Sequence, residues 1–172
     1  TTANYFKNKL TLSDLSGQIR IQQWKETWTM LKDNKILFGA GLAGYKTAIA
    51  PYHQEGIWLE DKNDPDWLNK IQTDEKFRKA HWQPTEIYQY PHNIILNFWS
   101  ETGLFGLLTF VLLLGIFLMN YWRVKEVENK KMYLVLIGVM ITMLIHGLVD
   151  VPYFKNDLSV WWWMVIGMSM IF

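Results

Sequence analysis

Three apolar runs constrain the fold of this 172-residue chain more than any other feature. They cover residues 94–122, 132–149 and 158–172. A helix needs about 20 apolar residues to cross the hydrocarbon core of a membrane, so the first two runs are long enough and the third is slightly short. The sequence predicts an all-α membrane protein with three transmembrane helices. They follow a large, polar, helical or irregular segment, residues 1–90.

Basic residues are distributed unequally between the two loops that join these runs. The loop "RVKEVENKK" holds four Lys and Arg residues, whereas "DVPYFKND" holds one Lys and two Asp. Loops rich in Lys and Arg stay in the cytoplasm, so we expect residues 1–90 on the outer side of the membrane. Because residues 1–90 contain no signal peptide or earlier apolar span, we expect the chain to be the C-terminal part of a longer multi-span protein.

Composition excludes several classes of function. The net charge is only +1, so no basic excess favours a nucleic acid as partner. There is no cysteine, which excludes disulfides, thiolate catalysis and cysteine metal sites. His53 and His81 have no partner at a metal-binding spacing, and "EDKNDPD" lacks the calcium-loop pattern. We therefore expect neither a metal nor a cofactor.

The polar segment contains one amphipathic helix, predicted over about residues 16–32. Ser13, Asp14 or Ser16 is expected to cap its start. One face of this helix carries an arginine above an apolar stripe: Arg20, Trp24, Trp28 and Leu31. Arg20 has two interpretations, a side chain that extends over a packed helix or a ligand for an anion near the membrane. A second, short helix is predicted around residues 66–80.

Glycines at positions 39, 41 and 44 spell the dinucleotide-binding pattern G-x-G-x-x-G. That motif requires a buried strand before it, a helix after it and an acidic residue about twenty positions on. The preceding "KILF" is a poor strand, and no alternation of strands and helices follows. We therefore interpret this stretch as a turn in which the backbone passes close to a neighbour.

Polar residues mark the predicted outer end of the first membrane helix. With Pro91 as its first helical residue, His92 and Asn93 would lie in the first turn, where free N–H groups favour an anion. Asn97 and Glu101 continue a polar stripe that must face protein or a water-filled cleft. We expect His92 to be functional, because it is not needed for packing there.

The second membrane helix ends in a similar way. His146 and Asp150 lie one turn apart on one face, and Pro152 is expected to stop the helix. Both would sit at the same depth as His92 and support its site. The alternative is that these two residues and Glu101 only tie helices together.

In combination, these features resemble the O-antigen ligases and O-antigen polymerases, a superfamily of multi-span bacterial glycosyltransferases. The stretch "HNIILNFWSETGLFGLLTFVLLL" is similar to the signature of His-Asn followed by Glu-x-Gly-x-x-Gly. The upstream "GQIRIQQWKETWTMLKDNKILFGAGLAGY" is similar to the Arg…Trp helix and Gly-rich turn of that superfamily. The resemblance covers residues 17–172.

The resemblance implies a membrane enzyme of the bacterial cytoplasmic (inner) membrane. Its donor would be a glycan linked to undecaprenyl diphosphate, and its acceptor lipid A–core or a growing glycan. It also implies that Arg20 binds the diphosphate, that His92 is catalytic, and that Asn93 and Glu101 bind or position the substrate. A further arginine is usual in the superfamily, and Arg78 is the candidate here, without a motif around it.

Several alternatives to an O-antigen ligase remain open from the sequence. One is an O-antigen polymerase or a protein O-glycosylase of the same superfamily. Another is a non-catalytic membrane protein that binds glycan or has a structural role. We also expect residues 1–172 to be inactive alone, because missing spans would complete the cleft for the lipid-linked donor.

Overall fold

Helices make up most of the chain. The computed structural model describes residues 7–9, 11–150 and 156–171, and for residues 156–158 the backbone alone. The elements before the membrane helices are α1 (Leu15–Lys32), α2 (Tyr45–Ile49), β1 (Gly56–Trp58), α3 (Trp67–Thr73), α4 (Glu75–Ala80) and β2 (Trp82–Pro84). They are followed by α5 (Ile94–Asn120), α6 (Val127–Gly147) and α7 (Asn156–Met168).

The helix predicted over 16–32 is observed as α1, Leu15–Lys32. Of the three cap candidates, Asp14 performs the role, because its carboxylate accepts a hydrogen bond from the Gly17 N–H at 3.3 Å. Helix α1 packs against α2, where Met30 and Leu31 form a buried core with Tyr45 and Ile49. This small core fixes α1 within the polar segment.

A small two-stranded sheet brings together the two ends of the segment that contains α3 and α4. Strands β1 and β2 pair antiparallel, with Ile57 opposite Gln83. The sequence did not predict these strands. The single helix expected over 66–80 is also wrong in detail, because it divides at Asp74. The Asp74 carboxylate accepts from the Lys76 and Phe77 N–H groups and so starts a new helix, α4.

Among the described residues, two helices are long and apolar enough to cross a membrane: α5 with its 3₁₀ extension to Arg123, and α6. The second begins at Val127 rather than at the predicted residue 132. Helix α7 is shorter, so the third predicted span, 158–172, is not confirmed. The helix stop expected at Pro152 lies outside the described residues.

Burial along α5 and α6 is typical of helices surrounded by lipid. Only 17% and 22% of their most apolar windows are buried. A soluble core helix would be mostly buried, whereas side chains such as Leu112 and Val135 are more than half exposed. The faces that do meet, with α7, form a core around Phe110, Tyr133 and Trp162.

The Gly-rich turn of the polar segment docks onto a kink in α5. The Ala40 and Gly41 N–H groups donate to the carbonyls of Ser100 and Glu101 at 2.6 and 3.0 Å. At the kink, Gly103 has φ 72° and ψ −174°, and the Leu104 N–H donates to the Ile36 carbonyl at 2.9 Å. This set of contacts, here called the glycine seam, matches the interpretation of a close backbone approach.

Candidate functional site

Arg20 and His92, far apart in the sequence, line the same cavity. It has a volume of ≈ 380 Å³ and lies between the start of α1 and the segment that leads into α5. Its polar lining groups are Asp14, Ser16, Arg20, Gln23, Tyr88 and His92. The cavity therefore combines a fixed cation, an imidazole, neutral hydrogen-bonding groups and one carboxylate that is paired with Lys9, a set that suits a ligand with phosphate and hydroxyls.

The Arg20 guanidinium does not form an ion pair with the carboxylate next to it in the cavity lining. The neighbouring carboxylate, Asp14, instead forms an ion pair with Lys9 and caps α1. Burial alone would raise the pKa of Asp14, but the hydrogen bond and charge of Lys9 outweigh it and hold that pKa below its usual value. Within the described residues no ion pair involves Arg20.

The apolar stripe below Arg20 docks α1 against the start of α5. The Trp24 indole N–H donates to the Pro91 carbonyl at 2.8 Å, directly before His92. One turn further, the Trp28 and Trp99 rings meet edge to face, with centroids 5.4 Å apart. The stripe thus positions Arg20 relative to His92.

His92 lies outside the helix, which corrects the prediction that Pro91 begins it. Helix α5 starts at Ile94, and Asn93 is its cap. His92 has a positive φ of 48°, a conformation that few residues other than glycine adopt. The rings of Tyr88 and Tyr90 stand edge-on to the imidazole at 5.2 and 5.0 Å. A strained backbone held by surrounding contacts is common at functional sites.

Asp150 brings the end of α6 to His92. Its Oδ1 lies 3.3 Å from His92 Nδ1, and its Oδ2 lies 3.6 Å from His146 Nε2. Because a carboxylate only accepts hydrogen bonds, this contact favours the tautomer with its proton on Nδ1 and its acceptor lone pair on Nε2. The predicted gathering of His92, His146 and Asp150 is thus present in the structure.

Both polar atoms of the Asn93 amide bond to the protein backbone. Its Oδ1 accepts from the Ile95 and Leu96 N–H groups, and its Nδ2 donates to the Leu148 carbonyl at 3.0 Å. The helix N-terminus is therefore not open to an anion in the way the sequence suggested. Asn93 ties the start of α5 to the end of α6, which keeps Asp150 near His92.

Glu101 does not line the cavity. Its backbone carbonyl accepts a hydrogen bond from the Gly41 N–H at 3.0 Å, and its carboxylate lies near the Ala43 N–H, so Glu101 belongs to the glycine seam. Asn97, which lies on α5 between Asn93 and Glu101 in the sequence, is fully buried. Its amide has no hydrogen-bond partner in the described part of the chain. That Glu101 binds substrate stays a prediction, which these contacts do not support.

Two polar residues of the cavity were missed by sequence reasoning, Gln23 and Tyr88. Gln23 follows Arg20 by three positions on a helix, so the shared face was readable from the sequence. Nothing in the irregular stretch before Pro91 indicated Tyr88. Arg78 is exposed on α4 and is not part of the cavity lining.

The other histidines have structural partners. His53 contacts the Glu26 carboxylate at 3.4 Å and the Thr85 carbonyl at 3.2 Å. His81 contacts the Phe77 carbonyl at 2.8 Å and stacks on the Phe77 ring. Among residues 7–9, 11–150 and 156–171, no group of three His, Asp or Glu side chains is arranged as metal ligands.

Comparison with known families relates the part of the chain that contains this site to one of them. The model of a family described as O-antigen ligase matches residues 2–111, well over half of the chain. The chain belongs to the O-antigen ligase family. The match includes every residue of the Arg20–His92 cavity and ends before Asp150. No curated protein and no solved structure matches the chain.

Membership in the O-antigen ligase family implies a glycosyltransferase of the ligase or polymerase type. Proteins of the family are bacterial membrane proteins, in agreement with the exposed apolar faces of α5 and α6. Family membership also implies a lipid-linked glycan and a glycan acceptor as substrates.

Proposed function

We propose that this protein is an O-antigen ligase that moves a glycan from undecaprenyl diphosphate to a hydroxyl of lipid A–core. The reaction would take place at the outer face of the cytoplasmic membrane, with residues 1–90 on that side. One observation carries the proposal: Arg20 and His92 line one cavity, and Asp150 contacts the His92 imidazole.

The proposed reaction is a displacement at the first carbon of the donor glycan. The acceptor oxygen forms a bond to that carbon while the bond to the phosphate oxygen breaks. The bonding electron pair leaves with undecaprenyl diphosphate, and Arg20 stabilises the negative charge that develops there. The acceptor proton passes to His92 Nε2, and Asp150 stabilises the resulting imidazolium.

The remaining predicted residues have supporting parts in this proposal. Asn93 positions Asp150 through the Leu148 carbonyl, and the Trp24–Pro91 hydrogen bond fixes the chain before His92. His146 contacts the far oxygen of Asp150 and is largely exposed. These groups act through His92 rather than on the substrate.

Complementation of a strain that lacks its own ligase tests this function. The full-length protein should restore surface glycan, whereas Arg20→Ala and His92→Ala should fail to do so at equal membrane levels. Lys25→Ala and His81→Ala are matched controls, because Lys25 lines a different groove of α1 and His81 bonds its own helix.

Two outcomes contradict the proposal. Full activity of both the Arg20 and His92 variants would mean that the cavity is not catalytic, as expected for a non-catalytic glycan-binding protein. Restoration of chain length in a polymerase-deficient strain, without restoration in the ligase-deficient strain, would assign polymerase activity instead.

A further inference from the structure

Gln23 lines the cavity, and the proposed reaction assigns no role to it. It lies on α1 three positions after Arg20 and seven after Ser16, a spacing that puts all three on one face. The side chain lines the cavity and yet is only 6% exposed. Gln23 is therefore a polar group enclosed beside a charged one.

The amide of Gln23 has no hydrogen-bond partner within the described residues. Its Oε1 is enclosed without a donor partner, and no described group accepts a hydrogen bond from its Nε2. The other glutamines of α1 differ. Gln18 Nε2 donates to the carbonyls of Ser13 and Glu60, and Gln22 Nε2 donates to Glu26 at 3.0 Å. Amide N–H groups of buried side chains usually have an acceptor, so the unbonded Nε2 of Gln23 is available to a ligand in the cavity.

The orientation of the amide shows which kind of ligand would satisfy it. Because Oε1 is enclosed by protein, the atom that Gln23 can offer to the cavity is Nε2, a donor. Residues three apart on a helix are separated by about 4.5 Å along its axis, close to the spread of the oxygens of a diphosphate. A donor at this distance from Arg20 suits a second oxygen of the same anion.

We propose that the Gln23 amide donates a hydrogen bond to a phosphate oxygen of the lipid-linked diphosphate that Arg20 binds. This inference rests on the proposed function. It gives the diphosphate a second, neutral ligand on the same helix, in a chain where Arg78 lies outside the cavity. A neutral donor holds the leaving group without adding charge beside His92.

Pyrophosphate and undecaprenyl diphosphate are the probes for this contact, titrated into the detergent-solubilised full-length protein. Gln23→Met keeps the length of the side chain but removes the donor, and should weaken the affinity for both probes about tenfold. Its melting temperature should be unchanged or higher, because an unpaired buried polar group is removed. Gln23→Glu, which replaces the donor with a carboxylate, should weaken binding further.

Gln22→Met is the matched control, the same chemical change one position earlier. Gln22 faces a different groove and bonds Glu26, so this variant should lose thermal stability and keep its affinity for pyrophosphate. Wild-type affinity of Gln23→Met for pyrophosphate would overturn the inference. An effect confined to undecaprenyl diphosphate would also overturn it, because it would place Gln23 against the lipid chain.

The inference and the proposed function fail in different ways. If Arg20→Ala loses affinity for both probes while Gln23→Met does not, only the role of Gln23 is wrong. If Arg20→Ala binds both probes and supports glycan transfer like the wild type, the proposed function itself is wrong.

Discussion

The polar segment touches helix α5 in two places, and the two contacts are built in opposite ways. At the glycine seam, backbone N–H groups of the turn donate to backbone carbonyls of α5, including that of Glu101. In the cavity by the start of α5, Arg20 has no ion pair and the Gln23 amide is unbonded within the described residues. The seam is complete without a ligand, and the cavity is not.

This difference separates two roles that the sequence presents as one. His92 and Glu101 lie in one polar stretch, and both carry the family resemblance. The paired backbone groups around Glu101 favour a structural role in holding the polar segment on α5, and the unpaired Gln23 amide in the cavity beside His92 favours a ligand site as our hypothesis. The variants below test that division, from the largest expected effect to the smallest.

Gly103→Ala should have the largest effect, because it breaks the seam. The φ and ψ of Gly103 fall in a region that essentially only glycine adopts, and a Cβ would lie 2.0 Å from the Leu37 carbonyl oxygen. We expect a loss of about 3 kcal/mol or more in stability, measured as a large drop in melting temperature.

Gly115→Ala is the control for this variant. It lies on the same helix with no atom within 4 Å of an added Cβ, so it should be neutral or stabilising. Equal melting temperatures for the two variants would show that the seam does not hold the polar segment.

Asp150→Asn should lower activity without affecting the seam. The amide keeps the shape of the side chain but loses the charge that stabilises the His92 imidazolium, so we expect transfer about 10- to 100-fold slower. Rates are compared in membranes with equal protein levels. His146→Ala, which removes only the exposed partner of Asp150, should stay within about threefold of the wild type. A wild-type rate for Asp150→Asn would leave His92 acting alone.

Asn93 separates stability from activity. Asn93→Ala removes the helix cap and the bond to the Leu148 carbonyl and should cost about 1–2 kcal/mol. Asn93→Asp retains the cap but not the donor to Leu148, so it should keep most of the stability and lose activity. The measurement is melting temperature against transfer rate for both variants. If Asn93→Asp kept full activity, the link to α6 would not position Asp150.

Much of the fold could be predicted from the sequence, because apolar periodicity and capping act locally. Helix α1, its Asp14 cap and the apolar character of α5 and α6 follow from such patterns. The two-stranded sheet could not be predicted, because its strands are three residues long and are far apart in the sequence. They pair only through tertiary structure. The left-handed backbone at His92 is likewise imposed by contacts from Trp24, the tyrosines and Asp150.

The site was predicted in part for the same reason. Arg20, His92 and Asp150 were identifiable because their residue types are unusual beside membrane helices. Their distances depend on the stripe of Trp24 and Trp28 and on the bond from Asn93 to Leu148, which are tertiary contacts. The placement of Glu101 in the seam depends on the kink at Gly103, and no local pattern of the sequence specifies which partner a kinked backbone receives.

Glu101→Gln should have the smallest effect and tests the division most directly. A glutamine carbonyl can take the place of the carboxylate beside the Ala43 N–H, so a purely structural Glu101 predicts activity within about threefold of the wild type. Glu101→Leu, which removes the acceptor, should lower the melting temperature more than the activity per folded molecule. A collapse of activity in Glu101→Gln at an unchanged melting temperature would show that the charge is needed by the reaction. The seam would then be part of the active site, and the two contacts on α5 would share one function.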